Sequence, residues 1–312
     1  MTRTHHSRPD RNRFNPETGL RKWATYASVA TAVILIGAKL AAYLKTGSVS
    51  LLSSLIDSTI DAFASLVMLI GVHHAVQPAD REHRFGHGKF EALASIAQAV
   101  FITGSGLFLV YESLKRFVHV QEIHHPALGI GVMVFSIVLT LILVGFQHYV
   151  IRETDSVAIA ADSLHYKGDL LINLSVIAAI VLTQQTGWLY YDPLFALVIA
   201  MVLLHGAWKI SQQSIDILVD KELPDADRQQ IMEIVRSNGQ VHDLHSLRTR
   251  SSGLHRFIEF HLEVSGETSV ASAHEITKEV ESSLHQAFPN AEVLIHIMPH
   301  NPDGARSGHR GP

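Results

Sequence analysis

Hydrophobic residues in this chain come in long blocks up to about Trp208, and in short alternating or helically spaced groups after Asp220. Six blocks stand out: about Trp23–Leu44, Val49–Gln77, Glu91–Leu114, Ala127–Val150, Val157–Thr183 and Tyr190–Ile210. Each supplies the roughly 20 residues that a helix rising 1.5 Å per residue needs to cross about 30 Å of hydrocarbon. The fourth, ALGIGVMVFSIVLTLILVGFQHYV, has no acidic or basic residue besides the near-terminal His148, and the first is broken only by Lys39. No ten-residue alternation suggests barrel strands.

Beyond the sixth block the pattern predicts a helix over about Asp225–Asn238 and a strand over Val241–Thr249. A turn follows at Ser251–Ser252–Gly253, then a strand over Arg256–Val264, a helix over Ser269–Ala287 and a strand over Ala291–Ile297. The fold class is therefore an α-helical membrane protein with six transmembrane helices and a C-terminal cytoplasmic α+β domain. The expected divisions are 1–20, a disordered cytoplasmic tail; 21–212, the transmembrane domain; 213–300, a cytoplasmic dimerisation and metal-binding domain; and 301–312, a disordered tail. A domain of that size is marginal alone and gains from dimerising.

Basic residues orient the spans. Arg3 through Lys22, then Arg81, Arg84, Lys89 and Arg152, and the C-terminal region fall on one side; Lys45, Lys115 and Arg116 fall on the other. Both termini are expected in the cytoplasm. Only 17% of residues are charged, and the net charge of -4 leaves no nucleic-acid footprint. With no cysteine, thiolate metal sites and disulfides are excluded, and the 21 histidines become the main nitrogen ligands. No phosphate-binding glycine loop, GxSxG or HExxH is present, so neither a nucleotide-driven pump nor an enzyme is expected.

The second and fifth spans are the least purely apolar, and their polar residues are paired. Asp57 and Asp61 lie four apart, as do His165 and Asp169, so each pair shares one helix face. Carboxylates at bilayer depth persist where they meet a partner, a cavity or an ion. Two such pairs on facing helices can surround a divalent cation with three carboxylates and an imidazole. Left empty, the clustered carboxylates take up protons, so metal and proton compete. Buried interhelical hydrogen bonds or a proton relay would use the same residues. Asp162, three residues before His165, is placed to support the site.

In the loop PADREHRFGHGKFE, Asp80, His83 and His87 are spaced to wrap an ion at the membrane mouth. The C-terminal domain is dense in histidine, with His242, His245, His255, His261, His274, His285, His296 and His300; three or four of them together suggest a regulatory metal cluster, and Asp243, Glu259 and Glu263 are close enough in sequence to join it. In the third span, Gly104, Ser105 and Gly106 suit close helix approach.

The segments TGSVSLLSSLIDSTIDAFASL, QPADREHRFGHGKFEALA and ADSLHYKGDL resemble the cation diffusion facilitator family, in its bacterial zinc and ferrous-iron efflux branch. The resemblance runs from about Trp23 to Pro299. It implies a homodimer in the bacterial cytoplasmic (inner) membrane, with a metallochaperone-like cytoplasmic domain, exchanging divalent cations for protons. It implies Asp57, Asp61, His165 and Asp169 as the transport site, Asp80, His83 and His87 as a loop site, and His245, His261, His274 and His296 as a cytoplasmic binuclear site. It also implies a charge interlock of Lys89 with Asp220. A His-x3-Asp pair in the fifth helix goes with zinc and cadmium. Iron(II) or manganese as cargo, or a metal sensor or scaffold that does not transport, are the alternatives. One position departs: relatives carry an aspartate two residues after the strand histidine, where this chain has Met298. A thioether is a weak zinc ligand, so fewer or weaker cytoplasmic ions are expected.

Overall fold

The computed structural model describes residues 16–47, 49–118 and 127–300. The tail residues 1–15 and 301–312 lie outside them. Six helices in the described residues are long and apolar enough to cross a membrane: α1 (Pro16–Thr46), α2 (Val49–Ala75), α3 (Lys89–Val118), α4 (Ala127–Thr154), α5 (Val157–Thr186) and α6 (Tyr191–Leu218). α1 starts at Pro16, so residues 16–20, expected in a disordered tail, are helical. Proline suits the first helical position because its missing N–H would have no partner there, and Glu17 complements the helix dipole.

Local chemistry sets the ends of α5. The Ser156 hydroxyl accepts from the Ile159 N–H at 3.2 Å. At the other end Gly187 turns left-handed (φ 71°) and its N–H reaches the Thr183 carbonyl at 2.8 Å. Small residues close the bundle. Ala24, Ala94, Ala99, Ala158, Ala161 and Ala207 are buried with Met68, Ile102, Ile159 and Leu203. Gly168 of α5 lies where a Cβ would stand 2.9 Å from Leu203 of α6, and Gly106 of α3 would meet Leu204 at 3.0 Å. Close helix approach is how apolar helices gain packing in lipid. Of the two glycines in the expected small-residue triplet, Gly106 makes such a contact and Gly104 faces open space. Large apolar side chains such as Phe108, Ile142, Met201 and Trp208 point outward, as a lipid-facing surface requires.

The chain divides into two units between Ile215 and Asp216. The second unit contains α7 (Asp225–Arg236), β1 (Asp243–Ser252), β2 (His255–Ser265), α8 (Val270–Ala287) and β3 (Ala291–His300). The sheet order is β1-β2-β3, with β1 antiparallel and β3 parallel to β2. Parallel pairing needs a crossover, and α8 provides it. Ile258, Phe260, Leu262 and Val264 alternate along β2 onto the face that packs against Ile231 and Val235 of α7 and Ala273, Ile276, Val280 and Leu284 of α8. The intervening Glu259, His261 and Glu263 take the opposite, open face. β3 runs through Pro299 to His300, past the expected end at Ile297; an edge strand tolerates the proline.

Candidate metal centres

α2 and α5 bring three of the four paired residues together. The ligand atoms of Asp61, His165 and Asp169 all lie within 4.8 Å of one another. His165 Nε2 stands 3.0 Å from Asp61 Oδ1 and 3.8 Å from Asp169 Oδ2. The 3.0 Å contact is poorly aligned for hydrogen bonding, and Nε2 is buried without a hydrogen-bond partner. A buried imidazole nitrogen turned toward two carboxylates, and bonded to neither, is suited to a cation. Asp57 lies one turn earlier on α2, exposed, and is not among the three.

A buried polar network supports this group from behind. The Tyr166 hydroxyl donates to the Ser28 carbonyl at 3.0 Å and lies 2.9 Å from the Ser65 hydroxyl, linking α5, α1 and α2. Ser28 Oγ donates to Asp162 Oδ2 at 2.5 Å, and Gln147 Nε2 of α4 donates to the same oxygen at 2.8 Å. Asp162 is thus a supporting residue one turn from His165, and its partners fix α5 in rotation. Lys39 of α1 donates to Ser58 Oγ at 2.6 Å and to the Ser54 carbonyl at 3.2 Å, both on α2. Ser28, Lys39, Ser65, Gln147 and Tyr166 carried no sequence signal of this role. Only the rarity of lysine and glutamine in an apolar span marks two of them.

At the ends of α1, α3, α4 and α5, Arg21 pairs with Glu91 and also donates to the Thr154 carbonyl. Glu91 accepts from the Ser156 hydroxyl at 2.5 Å, so one buried ion pair engages the N-cap of α5.

The loop residues also converge. Asp80, His83 and His87 offer ligand atoms within 4.8 Å. His83 Nδ1 is 3.4 Å from Asp80 Oδ1, and His87 Nε2 is 3.3 Å from Asp80 Oδ2. The backbone N–H of His83, helped by that of Glu82, holds the Asp80 carboxyl below the usual carboxylate range. It therefore stays anionic, the form that binds metal. His87 is buried, with Nδ1 unpartnered.

In the second unit, strand register aligns three histidines. His245 of β1 sits opposite His261 of β2, which sits opposite His296 of β3. Their rings are 5.2 Å and 5.0 Å apart. His274 lies on α8, exposed, while the face of that helix bearing Ala273 and Ile276 is buried. Lys89 opens α3 in the first unit; Asp220, in the second, pairs with Arg250 at 3.3 Å.

Six apolar spans, acidic and imidazole groups meeting between two of them, and an appended α+β unit define a membrane transporter of divalent cations. A family described as the cation efflux transmembrane domain matches residues 25–219, and the cation efflux protein cytoplasmic domain matches residues 223–300. The chain is 43% identical over 276 residues to the cation-efflux pump FieF of Salmonella arizonae, covering 88% of this chain and 92% of that one. The figures are the same for the cation-efflux pump FieF of Salmonella typhimurium. A solved metal-bound C-terminal domain of the CzcD transporter from Thermotoga maritima is 32% identical, covering 24% of this chain and 87% of that one, with a TM-score of 0.23. The protein belongs to the cation diffusion facilitator family, in its FieF-like branch. It is a multi-pass inner-membrane protein with a cytoplasmic C-terminal domain, and it serves divalent metal cation efflux rather than catalysis.

Proposed function

We propose that the protein is a homodimeric antiporter that exports zinc or cadmium from the cytoplasm in exchange for protons. The observation that carries this reading is the unpartnered His165 Nε2 facing Asp61 and Asp169 in a membrane-spanning bundle. Neutral imidazole with carboxylates at about 2 Å is a zinc-type donor set. In the loaded state Asp57 completes the set by turning inward one helical turn away. Three carboxylates around a dication leave a charge of about -1, modest enough to enclose yet easily displaced by protons from the outer face. Asp80, His83 and His87 collect the ion at the cytoplasmic mouth. His245, His261, His274 and His296 bind metal in the cytoplasmic domain and regulate export.

Metal flux into proteoliposomes under an imposed pH gradient tests the reading, with zinc, cadmium, iron(II) and manganese compared. Gradient-dependent zinc and cadmium flux is expected, with manganese gained on His165→Asp. Protein that binds metal but carries none would identify a sensor instead. Flux of iron(II) or manganese alone would change the cargo.

A further inference from the structure

Asp162 of α5 is fully buried, and its two oxygens have different surroundings. Oδ2 lies 2.5 Å from Ser28 Oγ of α1 and 2.8 Å from Gln147 Nε2 of α4. Oδ1 is buried with no hydrogen-bond partner. α1 and α4 face the carboxyl with Ser28 and Gln147, and α2 comes near with Ser65, which contacts Tyr166; none of the three is charged. The titratable groups in electrostatic reach are His165 and Tyr166 of its own helix. An ionised carboxylate here would keep one charged oxygen dry and unpartnered inside an apolar bundle, an arrangement that is costly.

The hydrogens available point to a neutral acid instead. Ser28 Oγ has one hydrogen and two acceptors within reach, Asp162 Oδ2 at 2.5 Å and the Ala24 carbonyl at 3.0 Å. Gln147 Nε2 also lies 3.0 Å from Ser28 Oγ. A proton on Oδ2 removes the shortage. Asp162 then donates to Ser28 Oγ, and Ser28 donates to Ala24. The two amide hydrogens of Gln147 go to Ser28 Oγ and to Oδ2. Oδ1 is left as the carbonyl oxygen of a neutral acid, which is less costly to bury than a carboxylate oxygen.

We infer that Asp162 is a neutral carboxylic acid in the metal-free protein and a proton carrier coupled to metal, releasing its proton when a dication occupies the neighbouring site. The inference rests on the proposed cation site at Asp61, His165 and Asp169. His165 follows Asp162 by three residues, so the ion arrives about one turn along α5. A dication at that range favours the anion. In the step the O–H bond of Asp162 breaks and the hydron passes to water. Ser28 turns its hydrogen from the Ala24 carbonyl to the Oδ2 anion, and nothing is oxidised or reduced. Departure of the ion reverses the step. The exchange thus moves one proton more per cation than the ligating groups alone supply.

Infrared difference spectra of the full-length protein, zinc-bound minus metal-free, read this proton through the carbonyl stretch of a carboxylic acid. The metal-free parent should show an acid band that Asp162→Asn removes, and zinc should remove the same band from the parent. Asp162→Asn should melt close to the parent in chelator, because its amide can donate to Ser28 where the acid does. Calorimetric zinc titration in buffers of different ionisation enthalpy counts released protons, and the Asn variant should release one fewer per protomer. A metal-free spectrum that Asp162→Asn leaves unchanged, or an acid band that zinc leaves in place, would overturn the inference. If Asp162→Asn melts early, Ser28→Ala serves: removing the acceptor should shift the band, and an unmoved band would count against Asp162. Asp61→Ala separates the two readings, since it should abolish the zinc-induced loss and keep the metal-free band. A zinc-induced loss that survives Asp61→Ala would refute the proposed cation site, while the metal-free band still decides the proton on Asp162.

Discussion

Lys39 Nζ donates to Ser58 Oγ at 2.6 Å, which places a cation on the stretch of α2 between Asp57 and Asp61. It is within electrostatic reach of both carboxylates and of Asp169. With a dication bound among three carboxylates, the lysine brings the local charge to about zero, the state least costly in a low-dielectric bundle. The same positive charge opposes the incoming metal and hastens its departure. At an effective dielectric near 20, a unit charge roughly 10 Å from a dication costs about 3 kcal/mol before screening. Lys39→Met should therefore bind zinc at least tenfold more tightly and reach a lower maximal flux, while Lys39→Arg stays close to the parent. Calorimetric zinc titration paired with flux assays reads both changes; weaker zinc binding in the methionine variant would refute this role.

Asp57 and Asp61 should behave differently on substitution. Asp61 already stands against His165, whereas Asp57 lies outside the converged group. Asp61→Ala is expected to lower zinc affinity roughly 100-fold or more, the scale of losing a ligand rather than a supporting partner. Asp57→Ala should weaken binding less but still abolish flux, because Asp57 is needed to enclose the ion. Equal loss of affinity in the two variants would show that both hold the ion in the resting state.

The long spans were legible because an apolar run of some 20 residues matches the thickness of a bilayer and exceeds what a soluble core usually buries in one helix. Most of their edges fell within a turn of the observed helices, but α1 begins at Pro16 rather than near Trp23, and α6 runs on to Leu218 rather than ending near Ile210. The i,i+4 spacing of Asp57/Asp61 and His165/Asp169 was legible against that background, since carboxylates in an apolar helix are conspicuous. What supports them was not. Ser28, Ser65 and Gln147 are ordinary residues, and Ser28 meets Tyr166 across 138 positions, so no local pattern announces the pairing. The alternation on β2 foretold which residues face outward, but only the register of three strands, set by an irregularity near Ser246 (φ 55°), lines up His245, His261 and His296.

That row carries a pH signature. Desolvation, then the nearby His296, His245 and Arg248, push the His261 imidazole below its ordinary value of 6.5. The folded protein thus holds this proton less tightly than the unfolded chain does. The corresponding stability is present above about 6.5 and is lost as pH falls through the lower folded value. Metal-free protein should melt earlier when pH is lowered from 7.5 to 5.5, and His261→Gln should flatten part of that dependence. Bound zinc requires the neutral ring, so zinc should shift the onset of the loss to lower pH. A melting profile in which His261→Gln tracks the parent would remove this histidine from the account.

The Arg21–Glu91 pair has both side chains nearly inaccessible, at 3% and 6% exposure. A buried pair is weak evidence for stability as a unit, but removing one partner strands the other charge, at a cost of about 3–5 kcal/mol. Here the consequence spreads, since Arg21 also holds the Thr154 carbonyl at the end of α4 and Glu91 also holds the Ser156 hydroxyl at the start of α5. Arg21→Met should lower the melting temperature in detergent markedly, leaving Glu91 charged and unpaired. Arg21→Met with Glu91→Gln should recover much of that loss, because the amide carbonyl can still accept from Ser156 without a buried charge. The recovered protein tests what the pair does beyond stability. Glu91 sits on α3, while α5 carries His165 and Asp169, so the ion pair holds the start of the metal-bearing helix to a neighbour. If that hold limits the movement of α5 during transport, the double variant should fold well yet differ from the parent in maximal flux, with zinc affinity unchanged. Identical flux would confine Arg21 and Glu91 to stability.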